Sequence, residues 1–428
     1  MNILIKSAKI IDINSKYHNK ISDILVEGGK IKKIAKKIKL SPKSITNSDT
    51  IEYSAKNLHV STGWLDIHAN FGEPGYEERE TLKTGCNAAV KGGFTGVLVM
   101  PNNKPNIDNK SMIDFINNMT RNNIVDVIPS GNITQNGEGN NIVEMNDMHK
   151  SGCRVFTDDK KSLQRNEVMK IAMLYSKDSN SLIMNYPNEK SISNNGYMNE
   201  GAASTRLGIK GIPAIAEEMM VDRDLNLCGY TGSRLHLSYI STENSLKKIK
   251  TMKKKGLKVT CDVAIHNLFL TDDAVNNFDT RYKVMPPLRT KQDNKALVKA
   301  LIDGTIDVIS SDHTPINDEY KKTEFDNAMN GIIGLETLFG LIGRYILPMT
   351  NLDNIVDKIS TKPREILQME KLVIEEGRNA NFTFFDPELE WVFSQKDIKS
   401  KSINTPFIGE KLKGKALAVL NKGRLKEC

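Results

Sequence analysis

Short apolar runs, each closing on a polar residue and followed by a longer amphipathic stretch, recur through the middle of the chain. Eight of them stand out, at 64–70, 96–100, 125–130, 154–158, 182–185, 234–240, 258–263 and 306–311. Most precede a segment with apolar positions at helical spacing, such as 167–174 and 294–301, and this alternation of strand and helix predicts a parallel sheet. Eight units predict a closed (β/α)₈ barrel, and no GxGxxG follows the first strand to suggest a dinucleotide fold.

The two ends are patterned differently. Period-two alternation at 3–5, 9–12, 23–26 and 30–34, the last two separated by Gly28-Gly29, predicts short strands and a hairpin. The same style returns at 381–386 and 416–423. A small β-sandwich domain built from both termini (1–58 and 369–428) is therefore expected around a barrel spanning 59–368, a division that suits 428 residues.

Composition narrows the function classes. The net charge of +8 comes from dispersed lysines, including Lys30-Ile31-Lys32-Lys33 and Lys253-Lys254-Lys255. No aromatic-basic module accompanies them, so nucleic acid is not an expected partner. The five cysteines have no CxxC spacing, no apolar run reaches membrane-spanning length, and the first residues lack a signal-type apolar region. These features predict a reduced, cytoplasmic chain with no membrane partner. Ser310-Ser311 is not in a GxSxG elbow and no cysteine has an acid-base companion, so covalent catalysis has no support.

Chemistry in a barrel sits where strands end. The residues there are His68, Asn70, Asn102, Asp158, Asp159, Asn185, Tyr239, His266, Asp312 and His313. A ring of His and Asp at such positions is how a hydrolase holds divalent ions over a substrate carbonyl, but this ring is short of imidazoles. Each residue also has a structural reading: Asp312 as a carboxylate bonded to neighbours, His68 as a satisfied core histidine, Asp159 with Asp158 as a cap. His18, His59, His149 and His236 are assigned no role.

The segment Asp66-Ile67-His68-Ala69-Asn70-Phe71-Gly72-Glu73-Pro74-Gly75 resembles the Asp-x-His-x-His-x-Arg-Glu-Pro-Gly segment of dihydroorotases of the amidohydrolase superfamily, the type that associates with aspartate transcarbamoylase. Lys91-Gly92-Gly93-Phe94-Thr95, Met100-Pro101-Asn102-Asn103-Lys104-Pro105, Phe156-Thr157-Asp158-Asp159, Pro286-Pro287-Leu288-Arg289, Ser311-Asp312-His313-Thr314-Pro315 and Asn404-Thr405-Pro406-Phe407 continue the likeness in order. The resemblance implies that the family's six metal ligands fall on His68, Asn70, Asp159, Asn185, Tyr239 and Asp312. Asn70, Asn185 and Tyr239 are not ligands of the family's kind. Of the implied substrate contacts Asn102 remains, while the family's Arg, Asn and His fall on Gly72, Met285 and Ile316.

The resemblance therefore implies no tightly bound cofactor, or at most one zinc ion at His68, Asp159 and Asp312 with Asp312 as general base. Two functions remain open. One is a catalytically impaired subunit in pyrimidine biosynthesis, homo-oligomeric and partnered by aspartate transcarbamoylase. The other is a divergent hydrolase interconverting carbamoyl aspartate and dihydroorotate with a single zinc.

Overall fold

The computed structural model describes residues 2–39 and 50–428. From the N-terminus, strands β1 (Asn2–Ile11), β2 (Ile21–Glu27), β3 (Lys30–Ala35), β4 (Thr50–Tyr53) and β5 (His59–Thr62) come first. The barrel strands β6 (Trp64–Ala69), β7 (Phe94–Val99), β8 (Asp126–Pro129), β9 (Val155–Phe156) and β10 (Leu182–Asn185) follow. A two-stranded pair, β11 (Met198–Asn199) and β12 (Gly211–Ile212), precedes β13 (Arg234–Leu237), β14 (Val259–Ala264) and β15 (Val308–Ser310). The chain ends in β16 (Phe382–Val392), β17 (Lys411–Asn421) and β18 (Arg424–Glu427).

Strands from both termini form one eight-stranded sheet in the order β18-β17-β16-β5-β1-β2-β3, with β4 also on β1. The two expected strands at 3–5 and 9–12 are one, because Ser7 takes a left-handed φ of 51° and the pairing with β2 shifts between Ile5 and Ala8 rather than breaking. Gly28 and Gly29 both have positive φ, as a two-residue hairpin joining Glu27 to Lys30 requires. Alternate residues, including Ile3, Ile5, Ile24, Val26, Val60, Phe382 and Phe384, are buried as one cluster. The sheet runs past residue 58: β5 pairs with β1 and β16, so the barrel proper starts at Trp64.

Among the described residues, β6-β7-β8 form a three-stranded parallel sheet and β9-β10-β13-β14-β15 a five-stranded one. Two parallel bridges join them into a ring: Gly131 with Phe156, and Ala69 with His313. The eight expected runs are the eight barrel strands. Inward side chains such as Leu65, Ile67, Leu98, Met184 and Val308 fill the lumen, and a larger apolar cluster packs the helices against the outside. The helical segments at 167–174 and 294–301 lie inside Asn166–Ser176 and Lys291–Ile302, the second started by a capping box of Thr290 and Asp293. No helix among the described residues is long and apolar enough to cross a membrane.

Sheet and barrel meet at Trp64. Its ring is fully buried against Phe94, Phe339 and Phe385, with centroids 6.1, 4.6 and 5.4 Å away, and its indole N–H donates to Ser61 Oγ at 3.0 Å. Replacing it with alanine leaves a ring-sized void and takes from Ser61 Oγ the hydrogen bond it accepts, leaving only its donation to the Thr62 carbonyl. Trp64→Ala is expected to lower unfolding stability by about 3–5 kcal/mol in a urea titration.

Candidate functional site at the mouth of the barrel

Three strand ends leave the sheet abruptly because a non-glycine residue there adopts left-handed backbone: Asp159 (φ 49°) after β9, Tyr239 (φ 56°) after β13 and Asp312 (φ 48°) after β15. The turn at Tyr239 is why β13 stops short of the run expected at 234–240; β9, Val155–Phe156, is also shorter than the run expected at 154–158. Such backbone is costly for residues with a Cβ and persists where surrounding contacts hold it. Here it turns three buried side chains toward one another.

At their centre is Lys160. Its Nζ donates to Asp312 Oδ1 at 2.6 Å and sits 4.8 Å from the centroid of the Tyr239 ring. Asp159 accepts from Asn102 Nδ2 on one oxygen, and on the other faces the Tyr239 hydroxyl at 3.5 Å. Burial pushes both carboxyls above the usual carboxylate range, and in each case the Lys160 charge is the largest opposing influence. The ammonium is thus the cation on which these acids depend. Asp312 Oδ2 has no hydrogen-bond partner among the described residues; His266 Nε2, also without one, lies 3.8 Å away. Burial, then Lys160, lowers the His266 pKa to about 3, so that ring is neutral.

His68 faces elsewhere. Its Nε2 and that of His236 each lie 2.8 Å from Asp262 Oδ2, and all three side chains are fully buried. Burial alone would lower the His68 pKa, but the Asp262 carboxylate overcomes it and the net shift is upward. Asp262 is held far below the usual carboxylate range, against its own desolvation, mainly by the charge of His68. An ionised carboxylate only accepts, so both Nε2 atoms donate. The other Asp262 oxygen takes Ser310 Oγ at 2.9 Å and the Tyr239 N–H at 3.3 Å, and His236 Nδ1 meets Thr260 Oγ1 at 2.8 Å. Among the described residues this triad is the one His/Cys/Asp/Glu group whose ligand atoms lie within 4.8 Å of one another.

The remaining expected positions are spoken for. Asn185 donates to Asp224 Oδ2 at 2.7 Å, and Asp224 is paired with Arg223 at 2.6 Å. Asn70 Nδ2 reaches Thr314 Oγ1 at 3.3 Å. Asp158 holds the loop after β8 through Asn132, Ile133 and Thr134. His313 points outward, with Nε2 3.4 Å from Glu80 and Nδ1 accepting the Gly334 N–H at 3.2 Å. Arg289 braces Ser241, Asn199 and the Ile212 carbonyl.

Above Asp159 and Lys160 opens a cavity of about 380 Å³ lined in part by Asn102, Gly72, Met285 and Ile316. A Cβ built on Gly72 would lie 2.4 Å from the Tyr76 carbonyl oxygen, so the local backbone leaves no room for a side chain there. A guanidinium reaches this cavity from another position: Arg79, stacked 4.4 Å from Tyr76 and 5.7 Å from Tyr320.

A family profile described as "Dihydro-orotase-like" matches residues 59–245. Full-length relatives include a dihydroorotase of Geobacter metallireducens, 39% identical over 427 residues covering 99% of each chain. Another is a dihydroorotase of Thermoanaerobacter sp. (strain X514), 39% identical over 429 residues covering 100% of this chain and 97% of the relative. The chain belongs to the dihydroorotase family. The L-hydantoinase of Arthrobacter aurescens shares the fold, with a TM-score of 0.84 at 20% identity over 99% of this chain and 95% of its own. The family architecture, a barrel with an accessory β-domain, is thus present throughout, while this dihydroorotase-family member carries Lys160 among its strand-end acids.

Sequence reasoning missed Lys160, His236, Asp262 and Arg79. Lys160 directly follows Asp158-Asp159, where a cation beside expected ligands was a readable signal. His236 and Asp262 lie inside expected strands, where a buried acid demands a partner.

Removing the central cation should be felt at once. Lys160→Met strands the buried Asp312 carboxylate and is expected to cost about 3 kcal/mol at pH 7 by chemical denaturation, the low end for a broken buried pair because Lys160 keeps some exposure. Asp159 and Asp312 have raised pKa values, so their penalty grows as pH rises from 3.8 through the folded values, and the deficit shrinks toward pH 4. His266 behaves oppositely: its folded pKa of about 3 lies below the reference 6.5, so the stability it lends is complete above 6.5 and lost as pH falls toward 3. His266→Asn is expected to remove up to about 1.4 kcal/mol per pH unit of acid destabilisation in that window, measured against the parent protein.

Proposed function

We propose that this chain is a cytoplasmic, dihydroorotase-like protein of pyrimidine biosynthesis that does not hydrolyse dihydroorotate, and that it serves as a non-catalytic subunit alongside aspartate transcarbamoylase. The observation that carries the reading is the Lys160 ammonium on Asp312 at 2.6 Å. A metal-bound hydroxide needs a divalent ion held by imidazoles and carboxylates with one position open. Here the carboxylate that would take up the proton is neutralised by a side chain of the protein, and a second cation beside it would be repelled. His68 is turned to Asp262, Asn185 to Asp224, and the Tyr239 ring lies tilted against His68 with centroids 4.0 Å apart. These residues do not fit a catalytic zinc at Asp159 and Asp312.

The partner reading rests on the family resemblance and on retention of the scaffold segments while groups that would meet metal or substrate are replaced. A second reading, a one-zinc cyclic-amide hydrolase, is favoured by the unpaired Asp312 Oδ2 and His68 Nδ1, and would require Lys160 to leave Asp312.

Metal analysis of the purified protein together with a dihydroorotate hydrolysis assay separates the two. The expected result is less than stoichiometric zinc and no turnover with or without added zinc. Turnover that is abolished by Asp312→Asn would establish the hydrolase instead. Mixed with aspartate transcarbamoylase at micromolar concentrations, the chain is expected to co-sediment; separate boundaries in analytical ultracentrifugation would remove the partner.

A further inference from the structure

Beside the barrel mouth a second, open cavity of about 730 Å³ shares Lys160 with the first. Its lining carries five cations: Lys160, Lys161, Arg165, Lys190 and Lys283. Two carboxylates, Glu138 and Asp326, stand against them. Lys160 is committed to Asp312, and Arg165 to Glu167 at 2.6 Å. Lys161, Lys190 and Lys283 form no ion pair among the described residues.

Lys283 is the informative member because it is 3% exposed. Its ammonium donates to the carbonyl oxygens of Phe325 at 2.6 Å and Asp326 at 3.0 Å, and lies 4.6 Å from the centroid of the Tyr197 ring. Behind it Lys321, also 3% exposed, donates to the carbonyls of Thr280 at 2.8 Å and Lys283 at 3.2 Å. Two buried ammonium groups therefore lean on neutral dipoles with no paired carboxylate. Burial lowers Lys283 to about 8, and burial together with repulsion from Lys283 lowers Lys321 to about 7. A buried charge short of its counter-charge is destabilising, and a methionine would fill either place without that cost. A wall that keeps such a charge beside an open cavity, with two unpaired lysines at the rim, is complementary to an anion supplied from outside.

We propose that this cavity binds a small polyanion of the phosphate or polycarboxylate class, gripped by Lys161 and Lys190 from the rim and by Lys283 from the wall. With Lys160 and Arg165 already paired, Lys161, Lys190 and Lys283 outnumber the two carboxylates, and a compact anion such as a phosphoryl group can meet all three. The cavity adjoins that of the strand-end acids, sharing Lys160, Asn188, Met285, Met329 and Asn330, but the proposal stands whether or not the barrel mouth hydrolyses anything.

The test titrates the full-length protein with inorganic pyrophosphate and, separately, with citrate, by calorimetry at low ionic strength. The expected result is saturable, one-to-one binding of at least one probe, weakened by added salt, with the tighter probe identifying the phosphate or the carboxylate source. The double variant Lys161→Gln/Lys190→Gln is expected to bind at least about ten-fold more weakly while keeping the parent thermal midpoint without anion. A control, Lys254→Gln/Lys255→Gln, removes two exposed lysines outside the cavity and is expected to bind as the parent does. Failure of both probes to saturate at millimolar concentration overturns the proposal. So does unchanged affinity in the rim variant, or an equal loss in the control.

Discussion

Buried carboxylates at the end of a barrel need a positive charge, and nearly every feature of this mouth depends on which charge supplies it. Desolvation raises Asp159 and Asp312 together, and two adjacent acids in a dry site cannot both ionise uncompensated. The Lys160 ammonium meets that need from within the chain. It is monovalent, tethered and capped by the Tyr239 ring, so it stabilises the acids without offering the open coordination position that activates water.

A second charge system lies alongside, with His68 Nδ1 its one ring nitrogen lacking a hydrogen-bond partner among the described residues. Asp262 shares one oxygen between two imidazoles, and the same residue receives the backbone N–H of Tyr239. The left-handed turn at Tyr239 is thereby tied to the triad beneath it, while its ring covers His68 and its hydroxyl faces Asp159. A phenol thus fills space between the two charge systems, and Tyr239 couples the positions of groups from four strands.

Much of the architecture was legible because strand and helix periods are properties of the chain itself. The run at 182–185 is β10 residue for residue, and the Gly28-Gly29 turn sits where the pattern placed it. What escaped was set by tertiary contacts. The length of β13 depends on Tyr239 turning left-handed, and the membership of β5 depends on strands from opposite ends of the chain. At the site, the replaced positions Asn70, Asn185 and Tyr239 could be read one by one against the family pattern. Their new partners could not: Asp224 for Asn185 lies on a helix, and the pairing of Lys160 with Asp312 spans 152 positions. Attention to His and Asp alone passed over a lysine.

The seam where the ring closes carries one more implication. Asp66 in β6 accepts both the N–H and the hydroxyl of Ser311, at 2.7 and 2.8 Å, across 245 positions of sequence, beside the Ala69–His313 bridge. Contacts so distant along the chain bear a large loop-closure entropy and tend to form late. Asp312 is the next residue, so its meeting with Lys160 belongs to the same late event. During synthesis Asp158, Asp159 and Lys160 emerge long before their counterpart exists, and the charge balance of the mouth is completed by the step that shuts the barrel.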